Sequence, residues 1–201
     1  MTIDAEYEVK GGKLFSVSGS EVDPSLFKEY SASELLTLRE EDRDVSDVMA
    51  EGDMSFDSAV PSEGQIVKIL VQYEHVAEYP EEYDEAFLAN LRSLLKLMED
   101  EGLHALIVPV AKNYAFADMD ACEDFTAAFK HLARRVKDCT NVIGLALPEG
   151  FVSGSENVEE INYFVSELTA KHDHYVFAGG EKIFEILGKC DGDVQSRTFK
   201  Y

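Results

Sequence analysis

Cysteine is scarce in this chain and forms no pattern. Cys122, Cys139 and Cys190 are three in 201 residues, an odd number with no CxxC pair. That excludes a disulfide framework and a zinc knuckle, and leaves each thiol buried or incidental rather than nucleophilic. Positive charge is scarce too: lysine and arginine number 18 against 40 aspartates and glutamates, a formal net charge of −22. Such a surface repels nucleic acid and anionic membranes, so neither is expected as a partner, and a solvated acidic face is a simpler account than mimicry of DNA. No apolar run is long enough to span a bilayer, and the opening residues hold no basic stretch followed by an apolar one. A cytoplasmic location is expected. GxSxG, P-loop and GxGxxG motifs are missing, and no cofactor or metal is expected.

What is there is a globular composition, 45% hydrophobic over a length that suits one domain with a real core. The chain is organised around residues 66 to 111. Ile66, Val67, Ile69, Leu70 and Val71 form an apolar, β-branched run that suits a strand covered on both faces. Phe87, Leu88, Leu91, Leu94, Leu95 and Met98 then recur at helical spacing, with Asp84 as N-cap and Gly102 as a left-handed stop. Leu103 to Val110 make a second strand. Two buried strands joined by an amphipathic helix are a βαβ unit.

The rhythm continues downstream. Asp120 with Glu123 has capping-box spacing ahead of a helix through Phe125, Phe129, Leu132 and Val136. Strands follow at 142 to 147 and 175 to 178, separated by a helix opening at Ser155. Gly179-Gly180 leads into a short helix closed by Gly188, and residues 194 to 201 read as a last polar strand. At the other end, Tyr7 to Lys10 and Lys13 to Val17 flank Gly11-Gly12 as a hairpin. Residues 25 to 63 give little signal beyond a helix capped by Ser33.

Taken in order, these pieces resemble the retaining endo-glycosidase barrels of the cellulase and β-mannanase type. VKGGKLFSVSGSEV resembles their opening hairpin, which caps the barrel floor; IVKILVQYEHV resembles their second strand; YDEAFLANLRSLLKLMEDEGLHALIVPV resembles their long helix and third strand. NVIGLALPEGFV, residues 141 to 152, is similar to their fourth strand, which in the family ends in Asn-Glu-Pro. There the Asn falls on Pro148, the acid/base Glu on Glu149 and the Pro on Gly150. The family's strand-two arginine falls on Lys68, which makes no bidentate contacts. Its third-strand histidine falls near Ala111 or Lys112, and no strand that can be read carries its nucleophilic glutamate. The strands number about five or six, whereas a (β/α)8 barrel takes about 250 residues, roughly 200 at the compact limit.

The expected fold is therefore α/β: parallel βα units resembling a truncated or incomplete (β/α)8 TIM barrel with an N-terminal β-hairpin. One domain spans 1–201, with the hairpin in 1–19 and the βα core in 66–180. Glu149, just past a strand's carboxyl end, is the candidate acid/base, and Glu74 is the weaker second carboxylate. Tyr73, His75, Lys112, Asn113, Tyr114 and Phe151 are the candidate substrate contacts, since aromatic faces stack on sugar rings. The plainer account is that the two glutamates are ordinary loop acids and that the aromatics pack the loops together. The His172-Asp173-His174 triplet lies at a strand's amino end, away from that site. The resemblance implies a catalytically degenerate glycoside hydrolase-like protein with a carbohydrate as ligand. The alternatives are a non-catalytic protein-interaction module with an acidic surface, and an active glycosidase using Glu149. A mainly monomeric protein is expected.

Overall fold

Residues 66 to 72 pair in parallel with residues 104 to 110 along their whole length, the longest pairing described in a six-stranded sheet. The computed structural model describes residues 4–39, 65–111, 119–152 and 158–201. In chain order, β1 (Tyr7–Lys10), β2 (Lys13–Ser16) and β3 (Glu21–Val22) form an antiparallel three-stranded sheet. Next come β4 (Lys28–Ser31), α1 (Ala32–Arg39), β5 (Ile66–Gln72), a single turn α2 (Tyr73–Val76), and the small ribbon β6 (Ala77–Tyr79) and β7 (Glu82–Tyr83). Then follow α3 (Glu85–Asp100), β8 (His104–Val110), α4 (Met119–Arg135), β9 (Val142–Ala146), α5 (Val158–Thr169), β10 (Val176–Gly179), α6 (Glu181–Leu187), α7 (Gly192–Arg197) and β11 (Thr198–Lys200). The main sheet runs β11-β10-β9-β8-β5-β4, parallel throughout. Among the described residues, β4 and β11 are its edges.

Cap chemistry sets the bounds of α3. The Asp84 carboxylate accepts from the Phe87 N–H at 2.8 Å, and Gly102 turns left-handed with φ 70°. The Leu103 N–H then closes on the Met98 carbonyl at 2.8 Å. The apolar stripes of α3, α4 and α5 bury against one face of the sheet, where Val67, Ile69, Val71, Ala105, Ile107, Leu145 and Phe177 point. The alternate residues Ile66, Leu106, Ile143, Ala146, Val176, Ala178 and Phe199 form a second core on the other face.

That other face is concave. Laid flat, the order β11-β10-β9-β8-β5-β4 would put its edges about 24 Å apart at strand spacing. Instead Phe27, just before β4, meets Phe199 of β11 edge to face with centroids 6.5 Å apart. The sheet is curled like a barrel wall. Leu14, Tyr7, Val9 and Val22 of the N-terminal sheet pack into the same apolar cluster, and the Lys200 N–H donates to the Gly12 carbonyl at 2.9 Å, tying the hairpin to the β11 edge.

A bulge shapes β9. Its register to β8 shifts at Gly144, so that Val142 and Leu145 both face the helices. A Cβ at Gly144 would lie 1.8 Å from the Val176 carbonyl oxygen, so only glycine fits that close approach.

The segment from 25 to 39, which gives little sequence signal, holds β4 and α1. The tail differs from the single polar strand expected: Gly192–Arg197 is a helical turn, and only Thr198–Lys200 is strand. Val194, Thr198 and Phe199 bury inward. Ser155 and residues 40–64 lie outside the described residues. Among the described residues, no helix is long and apolar enough to cross a membrane.

Candidate functional site

The carboxyl ends of the parallel strands gather on one side of the sheet, and Glu149 is there because of how β9 ends. Leu147 extends the pairing by one residue, its N–H donating to the Ala178 carbonyl at 2.8 Å. Pro148 has no N–H, so the ladder stops. The chain turns through a 3-10 helix, Glu149–Val152, closed by the Phe151 N–H on the Pro148 carbonyl at 3.1 Å. Phe151 is fully buried against Phe125 and Phe164. This anchor leaves Glu149 exposed at the head of the turn.

The neighbouring strand end makes room for that carboxylate. A Cβ on Gly180 would lie 2.7 Å from Glu149 Oε1, so the missing side chain is what lets the carboxylate lie over the end of β10. Tyr201 follows β11 and is held there by its N–H on the Gly179 carbonyl at 3.2 Å. Burial first, then the negative charges of Glu149 and Glu29, push its phenol above the usual range. Lys68 points to the concave face, its Nζ 2.8 Å from Glu29 Oε2 and 5.5 Å from the centre of the Tyr201 ring. The curl of the sheet thus brings together a carboxylate, a phenol, an ammonium and a second carboxylate from β4, β5, β9 and β11.

The other expected site residues fall elsewhere. Glu74 is exposed on α2, and no hydrogen bond or ion pair joins it to Glu149 among the described residues. Tyr73 is 7% exposed and stacks on Phe125 at 5.7 Å, and Phe151 is buried as well. His75 is partly buried beside Phe87, with ring centres 5.5 Å apart. Lys112, Asn113 and Tyr114 lie outside the described residues. Tyr201 and Glu29 were missed by sequence reasoning. Lys68, a lone charge inside an apolar strand whose neighbours face the helices, was the available signal.

Among the described residues, no group of three or more histidine, cysteine, aspartate or glutamate side chains is placed to hold a metal ion. The three cysteines are buried, and burial pushes the Cys122 and Cys139 thiols up to about 11.

No protein-family model matches the sequence, and no curated protein matches it either. Solved structures do resemble it. An exo-β-1,4-mannosidase from Opitutaceae bacterium strain TAV5 matches with TM-score 0.59 and 16% identity, over 89% of this chain and 34% of the mannosidase. An endoglucanase from Pseudomonas stutzeri matches with TM-score 0.54 and 10% identity, over 68% of this chain and 47% of that one. Endo-glycoceramidase II from Rhodococcus sp. matches with TM-score 0.52 and 9% identity, over 76% and 53%. At such identities the likeness is one of fold. The chain shares the (β/α)-barrel fold of these glycoside hydrolases over the part it covers, and spans from about a third to about half of their length.

Proposed function

We propose that this protein binds carbohydrate at the carboxyl end of its sheet and hydrolyses it slowly or not at all. The observation that carries the reading is the meeting of Glu149 with Tyr201 and the Lys68–Glu29 pair on the concave face. A partly exposed tyrosine ring flanked by carboxylates and an ammonium offers both an apolar face and hydrogen-bonding partners to a sugar. Hydrolysis asks for more: two carboxyl groups about 5 to 5.5 Å apart for retention, or about 6.5 to 9.5 Å for inversion, each free to act. Glu29 is a second carboxylate whose charge acts on Tyr201, and that charge is taken up by Lys68.

Glycan-array screening followed by titration calorimetry with manno- and cello-oligosaccharides tests binding, and aryl glycosides test turnover. Binding that weakens at least about tenfold in Tyr201→Ala, with negligible turnover, is the expected result. No glycan bound would favour the protein-interaction alternative. Robust turnover abolished by Glu149→Gln would establish an active glycosidase.

A further inference from the structure

At the opposite end of the sheet, below the amino ends of β9 and β10, lies a cavity of about 720 Å³. Arg134 in the last turn of α4, Lys137 just beyond it, and Lys171, His172 and His174 between α5 and β10 line it. In a chain of net charge −22 this is an unusual place for positive charge to collect.

The charges are not spent on neighbours. Three aspartates also line the cavity, and two are already engaged: Asp138 by Arg92, whose Nε lies 2.9 Å away, and Asp173 by Arg197 at 2.6 Å. Asp4 is the third. Arg134, Lys137 and Lys171 make no ion pair among the described residues, and all three are exposed. His172 in the wall is 6% exposed and stacked on Tyr175 with centroids 4.7 Å apart. Its Nε2 has no hydrogen-bond partner among the described residues. A buried imidazole nitrogen left unpaired is costly, and this one is closed off from the open volume, so a ligand oxygen would reach it only if the ring turned.

Cations at helix carboxyl ends complement the helix dipole, which accounts for Arg134 and Lys171 taken singly. It does not account for their convergence with Lys137 on one cavity, or for the unpaired histidine in its wall. We propose that this cavity binds a phosphate-bearing small molecule, with Arg134, Lys137 and Lys171 supplying the positive charge. A phosphate dianion offers three oxygens to several cations at once, which a monocarboxylate does not. The volume lies in the range of small-molecule sites, about 300 to 1,000 Å³, and exceeds what a bare phosphate ion fills, so the remainder takes the organic part.

The test is calorimetric titration and thermal unfolding of the intact chain with glucose 6-phosphate, inorganic phosphate and glucose, each at ionic strength matched with sodium chloride. Glucose 6-phosphate is expected to bind and to raise the melting temperature above the chloride control. Inorganic phosphate should bind at least about tenfold more weakly, and glucose should not occupy this cavity. In Lys137→Gln/Lys171→Gln the affinity should fall at least about tenfold, while the melting temperature without ligand barely moves, because both side chains are exposed and unpaired. Single Lys171→Gln provides the same readout should the double variant fold poorly. The ring resonances of His172 should shift on binding in the unaltered chain. No phosphate-dependent effect beyond the chloride control would overturn the proposal. So would unchanged affinity in the lysine variants, or equal affinity for inorganic phosphate and glucose 6-phosphate.

Discussion

Single residues make the sharpest tests. Gly180 has φ −74° and ψ 179°, a conformation that alanine adopts without strain, and the atom a new methyl would displace is the free end of Glu149. Gly180→Ala is therefore expected to leave stability unchanged or raise it by up to about 1 kcal/mol, while moving the Glu149 carboxylate and weakening carbohydrate binding. Urea unfolding beside calorimetric titration would check both halves. Gly144 is the opposite case, because the atom in the way is backbone. Gly144→Ala should cost about 3 kcal/mol or more, read as a lowered urea midpoint with unchanged slope. His172 gives a pH dependence. Burial first, then His174 and Arg134, lower its pKa from 6.5 to about 4, so between those values the unfolded chain holds more protons than the folded one. Stability then falls as pH drops through that window. From pH 7 to 5.5 the loss is about 1 kcal/mol, and His172→Phe, which keeps the stack on Tyr175 but takes up no proton, should flatten it. An equal slope in both chains would refute this.

At the scale of elements, α7 and β11 close one edge of the sheet. Val194, Thr198 and Phe199 are 2% exposed or less, and β11 pairs with β10 while Lys200 holds the hairpin. A chain ending at Asp193 would bare the β10 edge and leave Leu14 and Phe27 without Phe199. It should lose about 3 kcal/mol or more, or associate more than the full chain does. Light scattering at micromolar concentration, with urea unfolding, would separate these outcomes, and a stable monomer at Asp193 would count against this role. The same elements mark what the sequence made legible. The β5–α3–β8 unit was readable because its apolar periods are unbroken and Asp84 and Gly102 mark its helix ends. The hairpin was readable because Gly11 and Gly12, both at positive φ, fill its turn. β4 was hidden, since Glu29 on its inner face is matched to Lys68 across the strands and leaves no apolar alternation to count. A six-residue helix such as α7 is too short for a helical period to emerge. In the site, Glu149 could be placed from the strand-ending Leu-Pro-Glu-Gly. Tyr201, Lys68 and Glu29 could not be joined to it, because their proximity comes from the curl of the whole sheet, which no local pattern encodes. For the same reason sequence alone could not separate buried rings, Tyr73 and Phe151, from rings on a rim.

For the molecule as a whole, charge is the dominant feature. Forty carboxylates face 18 lysines and arginines, so ion pairs such as Lys130–Glu167, Arg135–Glu85 and Lys200–Glu181 leave many acids facing only one another across the surface. Exposed pairs are worth about 0 to 1 kcal/mol each, and salt weakens them. Repulsion among the excess acids weakens as well, because the screening length falls from about 10 Å at 0.1 M to about 3 Å at 1 M. With the imbalance so large, relief of repulsion should win, and the melting temperature should rise steadily with sodium chloride rather than fall. The end of α3 is where one residue can report on this. Asp100 and Glu101 stand at its carboxyl end with no basic residue in the last turn, so they oppose both the helix dipole and the net charge. Glu101→Lys should stabilise the chain by about 0.3 to 1 kcal/mol at low salt, and most of the gain should vanish at 1 M as the field it relieves is screened. A gain that persists at high salt would point to helix propensity instead. A melting temperature that falls with salt in the unaltered chain would mean that its ion pairs outweigh the repulsion.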